Sequence, residues 1–176
     1  MKKNRFPMAI KVLVFYVSFM LLHYLYDWFP NTITMIFSGI NESVYQHMKI
    51  AFFVCVFTST IEYLTIKQAI QSRSRFFISR IFTTSYLPLL MMVIFLICPI
   101  VFGKIETIAG EIIWANIALL STAIFSFEIE KHFEKSDPSN FMIGIVIFIF
   151  LLSLVQFVVF TFELPWFDIL ATPPGW

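Results

Sequence analysis

Two short polar stretches of this chain carry residue types that bind metal ions, transfer protons or bind polar solutes. The first stretch contains His23 and Asp27, and the second contains Asn41, Glu42 and His47. Imidazole nitrogens and carboxylate oxygens are the ligands that zinc and similar divalent cations take in proteins. Imidazole also titrates near neutral pH, so these side chains suit a proton relay or a cationic solute as well. We therefore predict a ligand- or ion-binding site in which His23 and His47 are the candidate metal ligands.

The elements around these stretches are apolar, which determines the solvent in which they fold. The chain has 176 residues, of which 59% are hydrophobic and 13% are charged, and its mean hydropathy is +0.85. A water-soluble domain is roughly half apolar and a quarter charged. Lipid must therefore surround most of this chain. The net charge of +1 provides no basic field for nucleic acid and excludes that class of partner.

Five apolar runs are each long enough to cross a membrane, which takes about 20 residues of helix. They cover residues 8–28, 44–66, 81–102, 108–127 and 141–162. Helices are expected because lipid leaves every backbone polar group to find its partner within its own segment. The sequence thus predicts an all-α polytopic membrane protein with five transmembrane helices, folded as a single domain over residues 1–176.

Positive charge is concentrated in the N-terminus and in alternate connections between the predicted helices. These segments carry Lys2, Lys3, Arg5, Lys67, Arg73, Arg75, Arg80, Lys131 and Lys135. The opposite connections have only Lys104 and, nearby, Lys49. Because positively charged loops stay in the cytoplasm, we predict a cytoplasmic N-terminus and an extracytoplasmic C-terminus. Both polar stretches then lie on the extracytoplasmic face.

The basic residues on the predicted cytoplasmic side are expected to face lipid headgroups. Lys11 lies one turn into the first helix, so we expect its side chain to reach the headgroups. The connection over residues 67–80 carries Arg73, Arg75 and Arg80, which we expect to contact anionic lipid.

The segment over residues 30–40, between the first two predicted helices, is apolar but too short to cross the membrane. We predict that it lies in the interface or enters the protein as a re-entrant segment. Asn41 follows it and is a suitable N-cap for the second helix, while Glu42 suits the positive end of that helix. The segment should fold the two polar stretches back toward each other.

Two further carboxylates belong to the candidate site residues. Glu111 lies at the extracytoplasmic start of the fourth helix and is a weaker member of the same cluster. Glu62 lies in the cytoplasmic half of the second helix, where it is either a proton or cation site or a partner of Arg73 or Arg80. Beyond the fifth helix, Trp166 and Asp168 map to the extracytoplasmic face.

Three functions are compatible with these residues. In the first, His23, Asp27, Glu42 and His47 bind or translocate a small solute or ion. In the second, the protein is a metal-dependent intramembrane hydrolase in which His23, His47 and a carboxylate hold a divalent cation and Glu42 or Glu111 is the base. In the third, it is an accessory subunit that meets a partner protein or a second copy, and the polar residues only cap helices within an aromatic belt. No H-E-x-x-H or G-x-S-x-G motif assigns a reaction.

The polar stretches also carry a resemblance to a known family. They read HYLYDW at residues 23–28 and GINESVYQHMK at residues 39–49, and the tail reads FTFELP at residues 160–165. These segments resemble a group of small bacterial integral membrane proteins of unknown function. In that group the first helix ends in a His-x-Leu-Tyr-Asp-Trp-like run and the second begins with Asn-Glu-Ser-Val/Ile-x-x-His-x-Lys. The resemblance implies a multi-pass helical protein of the bacterial cytoplasmic membrane and implies no activity.

Overall fold

The computed structural model describes residues 6–163, and within this range the chain forms six helices and no strand. They are α1 Met8–Trp28, α2 Thr32–Phe37, α3 Val44–Ile66, α4 Arg73–Phe102, α5 Ile108–Phe133 and α6 Asn140–Phe162. All except α2 are long and apolar enough to cross a membrane, so the predicted all-α fold with five such helices is confirmed. Several residues used above lie outside the described range: Lys2, Lys3, Arg5, Leu164, Pro165, Trp166 and Asp168.

Two helices are longer than predicted at the ends that carry charge. α4 begins at Arg73 instead of residue 81, because the Ser72 hydroxyl caps it by accepting a hydrogen bond from the Arg75 amide. α5 continues past residue 127 to Phe133. The predicted basic connection over residues 67–80 is therefore partly a helix, and its inner face can contribute to the core.

The long helices form a bundle in which α1 packs between α3 and α5, and α4 packs against α3, α5 and α6. α2 lies against α1, α3 and α6. We name the two ends of the bundle by residues of α1. The histidine end is the one that contains His23, and the lysine end is the one that contains Lys11.

One stripe of α1 faces the bundle over its whole length. Lys11, Phe15, Phe19 and His23 follow one another at a spacing of four residues, which places them on a single helix face. Phe15 and Phe19 are buried in the main core, and the Phe15 ring meets Phe127 of α5 edge-to-face at 5.6 Å between centroids. Aromatic packing thus fills the space between the two ends.

The prediction that the Lys11 side chain reaches the lipid headgroups is wrong. It is buried, and its ammonium donates hydrogen bonds to Glu62 Oε2 at 2.5 Å and to Glu130 Oε1. Arg80 is buried as well and donates to Glu62 Oε1 at 2.6 Å. These carboxylates lie on the inner faces of α3 and α5, and a buried charge is stable only when it is paired. Glu62 is thus paired with Arg80, one of its two predicted roles, and Arg80 faces the core instead of lipid.

We predict that Lys11→Met destabilises the protein by about 3 to 5 kcal/mol, because it leaves Glu62 and Glu130 with Arg80 as their remaining buried cation. Thermal unfolding in detergent micelles, followed by circular dichroism, measures this change. The control is Lys131→Met, which removes an exposed lysine paired with Glu128 and should leave the midpoint unchanged. Equal midpoints for the two variants would contradict the prediction.

Candidate functional site

His23, Glu42 and His47 meet at the histidine end, where we call them the histidine–glutamate site. His23 lies in the last turns of α1, His47 lies in the first turn of α3, and Glu42 lies in the loop between them. The two Nε2 atoms are 3.1 Å apart. Glu42 Oε2 lies 3.5 Å from His23 Nε2 and 3.4 Å from His47 Nε2. The structure therefore brings three of the predicted site residues together through one atom each.

The loop before α3 presents Glu42 to the two histidines. Asn41 Oδ1 accepts a hydrogen bond from the Ser43 amide at 3.0 Å, which closes an Asx turn. Ser43 then caps α3, with its hydroxyl accepting from the Gln46 amide. Asn41 was predicted to be the N-cap of α3, but the N-cap is Ser43. The turn made by Asn41 precedes the helix, so α3 begins after it. Asn41 shapes the loop, and Glu42 projects from it.

The segment over residues 30–40 supports this loop. It forms α2, and Ser38 after it is buried against α1, where its hydroxyl donates to the Leu22 carbonyl and accepts from the Tyr26 amide. The buried Lys49 ammonium of α3 donates to the Met35 carbonyl of α2 at 2.8 Å and to a threonine hydroxyl of α6. Both contacts hold the segment against the helices that carry the histidines.

The hydrogen-bond partners of the site determine its protonation. His47 Nδ1 lies 2.8 Å from the Ser43 carbonyl, which can only accept, so Nδ1 carries the proton and a neutral ring presents a lone pair at Nε2. When Nε2 of His23 or His47 also carries a proton, it can donate to Glu42 Oε2, and these hydrogen bonds lower the pKa of Glu42 well below its ordinary value. His23 Nδ1 is buried and has no hydrogen-bond partner within residues 6–163.

The spacing of the three ligand atoms suits a small divalent cation. Zinc bonds of 2.0–2.2 Å in a tetrahedral arrangement place neighbouring ligand atoms roughly 3.3–3.6 Å apart. The separations here are 3.1, 3.4 and 3.5 Å. Three protein ligands leave a fourth position open. The same geometry also allows a shared proton, with His23 Nε2 donating to His47 Nε2.

A cavity of about 420 Å³ adjoins the site. Its polar lining comprises the three site residues together with Glu111 and Asn116, whose Oδ1 accepts a hydrogen bond from the Tyr16 hydroxyl of α1. Most of the remaining wall is apolar: Phe19, Met20, Met91, Met92, Phe95 and Leu119. Glu111 thus shares the cavity of the predicted cluster.

Two of the other predicted site residues lie apart from this cavity. Asp27 is exposed and forms no ion pair with any residue of the described range. Glu62 belongs to the lysine end. His47 and Glu62 are both on α3, and their positions in that helix separate their Cα atoms by about 22 Å.

Comparison with known proteins places the chain in a family. The model of a family of unknown function, DUF6512, matches residues 1–172. The chain belongs to DUF6512. No curated protein and no solved structure matches it. Membership in DUF6512 agrees with the predicted resemblance to an uncharacterised family and assigns no activity, so the function has to be argued from the site.

The sequence did not reveal every polar residue that this DUF6512 protein buries. Glu130 was not among the candidates, although it lies in a helix that continues to Phe133. Ser38 was not among the candidates either. For Glu130, the signal was the apolar periodicity that continues on both sides of it. For Ser38 no local signal existed, because its partners lie on α1.

We predict that Ser38→Ala lowers the stability of the protein by about 1 to 2 kcal/mol, since it removes a buried hydroxyl that links the segment to α1. Chemical or thermal unfolding in detergent provides the measurement. Ser136→Ala is the control, because that serine is exposed in the loop after α5. A Ser38 variant as stable as the control would show that the contact contributes nothing.

Proposed function

We propose that this DUF6512 protein binds a divalent transition-metal ion, with zinc as the best match, at His23, Glu42 and His47. The observation that carries the proposal is the set of three ligand-atom separations, 3.1 to 3.5 Å, which are close to the edges of a tetrahedral zinc site. The bond from His47 Nδ1 to the Ser43 carbonyl supports it, because such a bond orients a metal-binding imidazole.

The ligand set also favours one class of metal over others. Two imidazoles with one carboxylate suit zinc and similar transition metals, whereas Ca²⁺ and Mg²⁺ prefer ligand sets made of oxygen atoms. The three side chains are 18%, 41% and 29% exposed for His23, Glu42 and His47, so an ion can reach them from outside the bundle. The Glu42 carboxylate supplies a negative charge that offsets part of the charge of a bound cation.

Ion binding refines the broader expectation of solute or ion binding or translocation. Between the site and the lysine end, the bundle is filled by Phe15, Phe19 and Phe127. This packing supports binding and release at one membrane face. Translocation would require the aromatic layer to separate, so binding is the function that this conformation favours.

A second candidate function follows from the cavity beside the site. The open metal position would adjoin a largely apolar space of about 420 Å³ that also contains Glu111. A zinc-bound water with a carboxylate base is the arrangement used by metal-dependent hydrolases. In that case Glu111 would accept the proton of the attacking water, and the apolar wall would hold an apolar part of the substrate.

We place the histidine end on the extracytoplasmic side of a bacterial inner membrane, with residues 1–176 acting as one domain. The distribution of charge supports this orientation. The exposed cations in the described part of the lysine end include Lys67, Arg73, Arg75, Lys131 and Lys135. Within the same range, the histidine end has only Lys104 and the buried Lys49. Arg73 and Arg75 are the residues that we propose contact anionic headgroups.

We predict that the purified protein binds about one zinc ion per chain and that His47→Ala weakens this binding by at least about 100-fold, because losing a side chain that coordinates the ion costs more affinity than losing one that only orients a ligand. Isothermal titration calorimetry in detergent measures the affinity. His132→Ala is a matched control, since His132 is exposed and is the one histidine outside the site. Binding should weaken below about pH 6, where protons compete for imidazole. Zinc binding that survives a combined His23→Ala and His47→Ala substitution would refute the site.

We predict that a membrane-impermeant maleimide labels Lys104→Cys but not Ser136→Cys in intact cells, because these positions lie in loops at opposite ends of the bundle. Both variants are made after Cys55 and Cys98, the two native cysteines, have been replaced by alanine. Labelling of both positions after cell lysis controls for accessibility. The reverse pattern in intact cells would place the histidine–glutamate site in the cytoplasm.

A further inference from the structure

The lysine end contains a second group of ionisable side chains, which we call the acidic cluster: Lys11, Glu62, Arg80, Glu130 and Glu134. Four of them are almost fully buried, with exposed fractions of 4% for Lys11, 4% for Glu62, 7% for Arg80 and 2% for Glu130. Lys11 bridges Glu62 and Glu130, while Arg80 contacts all three carboxylates. The cluster therefore joins α1, α3, α4 and α5 inside the bundle.

The charges of this cluster do not balance. Three carboxylates face two cations, which leaves one negative charge in excess if every group is ionised. The other cations that line the adjoining cavity of about 460 Å³ are exposed: Arg75, Lys131 and Lys135. Arg75 and Lys131 have carboxylate partners of their own, Asp137 and Glu128. Glu134 lies at the exposed edge of the cluster, with 37% of its side chain open to solvent, whereas Glu62 and Glu130 are buried. The share of the excess charge that falls on the buried carboxylates is unfavourable inside an apolar bundle, and taking up a proton removes it.

Glu130 is the carboxyl whose surroundings favour the proton. Its Oε1 accepts from Lys11 and lies 3.5 Å from Arg80 Nε, but its Oε2 is buried and has no partner within residues 6–163. Both oxygens of Glu62, in contrast, accept hydrogen bonds from cations. Ser126 lies one turn earlier on α5, and its hydroxyl oxygen is buried and unpaired in the same range. It offers an acceptor on the same helix face as Glu130.

The neutral groups around Glu130 do not supply the missing charge. The Tyr86 hydroxyl of α4 donates a hydrogen bond to the Ser126 carbonyl, and Cys55 of α3 is fully buried. Among the residues that line the adjoining cavity, the other titratable groups are the remaining members of the cluster and the exposed Arg75, Lys131 and Lys135. A metal ion is also disfavoured here, because Lys11 and Arg80 already bind three of the four oxygens of Glu62 and Glu130, and their positive charges would repel a metal cation.

We propose that the acidic cluster is a proton-binding site in which the Glu130 carboxyl carries one exchangeable proton at neutral pH. The proton comes from water in the adjoining cavity and binds Oε2, which makes the cluster electrically neutral. Its release to the same cavity restores the carboxylate. The site is separate from the histidine–glutamate site, so it stands whether or not that site binds a metal.

Infrared spectroscopy of the full-length protein in lipid tests this proposal, because a protonated carboxyl has a C=O stretch that ionised carboxylates lack. At pH 7 the wild type should show this band, and the band should shift in D₂O as the proton exchanges. Glu130→Gln should abolish it. Glu128→Gln should leave it unchanged, since Glu128 is an exposed glutamate that pairs with Lys131 on the same helix.

A second variant keeps the proposal testable if Glu130→Gln fails to fold. Lys11→Met removes one cation, so the cluster should bind a second proton and the band should grow about twofold. The absence of the band in the wild type at pH 7 would overturn the proposal. So would a band that persists in a folded Glu130→Gln variant, or one that does not increase in a folded Lys11→Met variant.

Discussion

A charge inside an apolar bundle must have a partner there, and this constraint organises both ends of the protein. At the lysine end it turns Lys11 inward, away from the headgroups, because Glu62 and Glu130 are already buried on the facing helices. At the histidine end the constraint is weaker, because Glu42 is partly exposed, but this carboxylate still pairs with two imidazoles. Each end therefore consists of side chains from different helices that depend on one another.

α1 connects the two ends mechanically as well as chemically. Its inward stripe carries a cation at one end, an imidazole at the other and two buried phenylalanines between them. A rotation of α1 that moved Lys11 relative to Glu62 would also move His23 relative to His47, since helices are rigid over this length. α1 therefore links the geometry of the two ends, with the buried rings of Phe15 and Phe19 between them.

The sequence predicts the parts of this structure that depend on local patterns. The bounds of α1 and α3 agree with their apolar runs, and the approach of His23 to His47 follows from placing both polar stretches at one end. The start of α4 was wrong, because basic residues suggested a surface loop and the cap at Ser72 was not recognised. The partners of Lys11 could not be predicted, because they lie on helices far away in the chain.

At the histidine end, the positions of the side-chain atoms carry information that the residue types alone do not. Two histidines and a glutamate at one end of a bundle are compatible with helix caps or with an aromatic belt. Convergence of three ligand atoms, together with the Asx turn at Asn41 and the cap at Ser43, depends on the backbone of a single loop. Sequence patterns indicate such a turn but do not give the direction in which the next side chain projects.

The chain separation of the contacts has a consequence for how the protein is made. His23 and His47 are 24 residues apart, and the segment that supports them lies between them, so this pair of side chains is complete once α1, α2 and α3 have left the ribosome. Lys11 and Glu130 are 119 residues apart and can meet only after α5 has been inserted. Until then Lys11 enters the bilayer without one of its two carboxylates. The contacts at the histidine end can therefore form early, when α1, α2 and α3 are in place. The contacts at the lysine end are completed only after the later helices have been inserted.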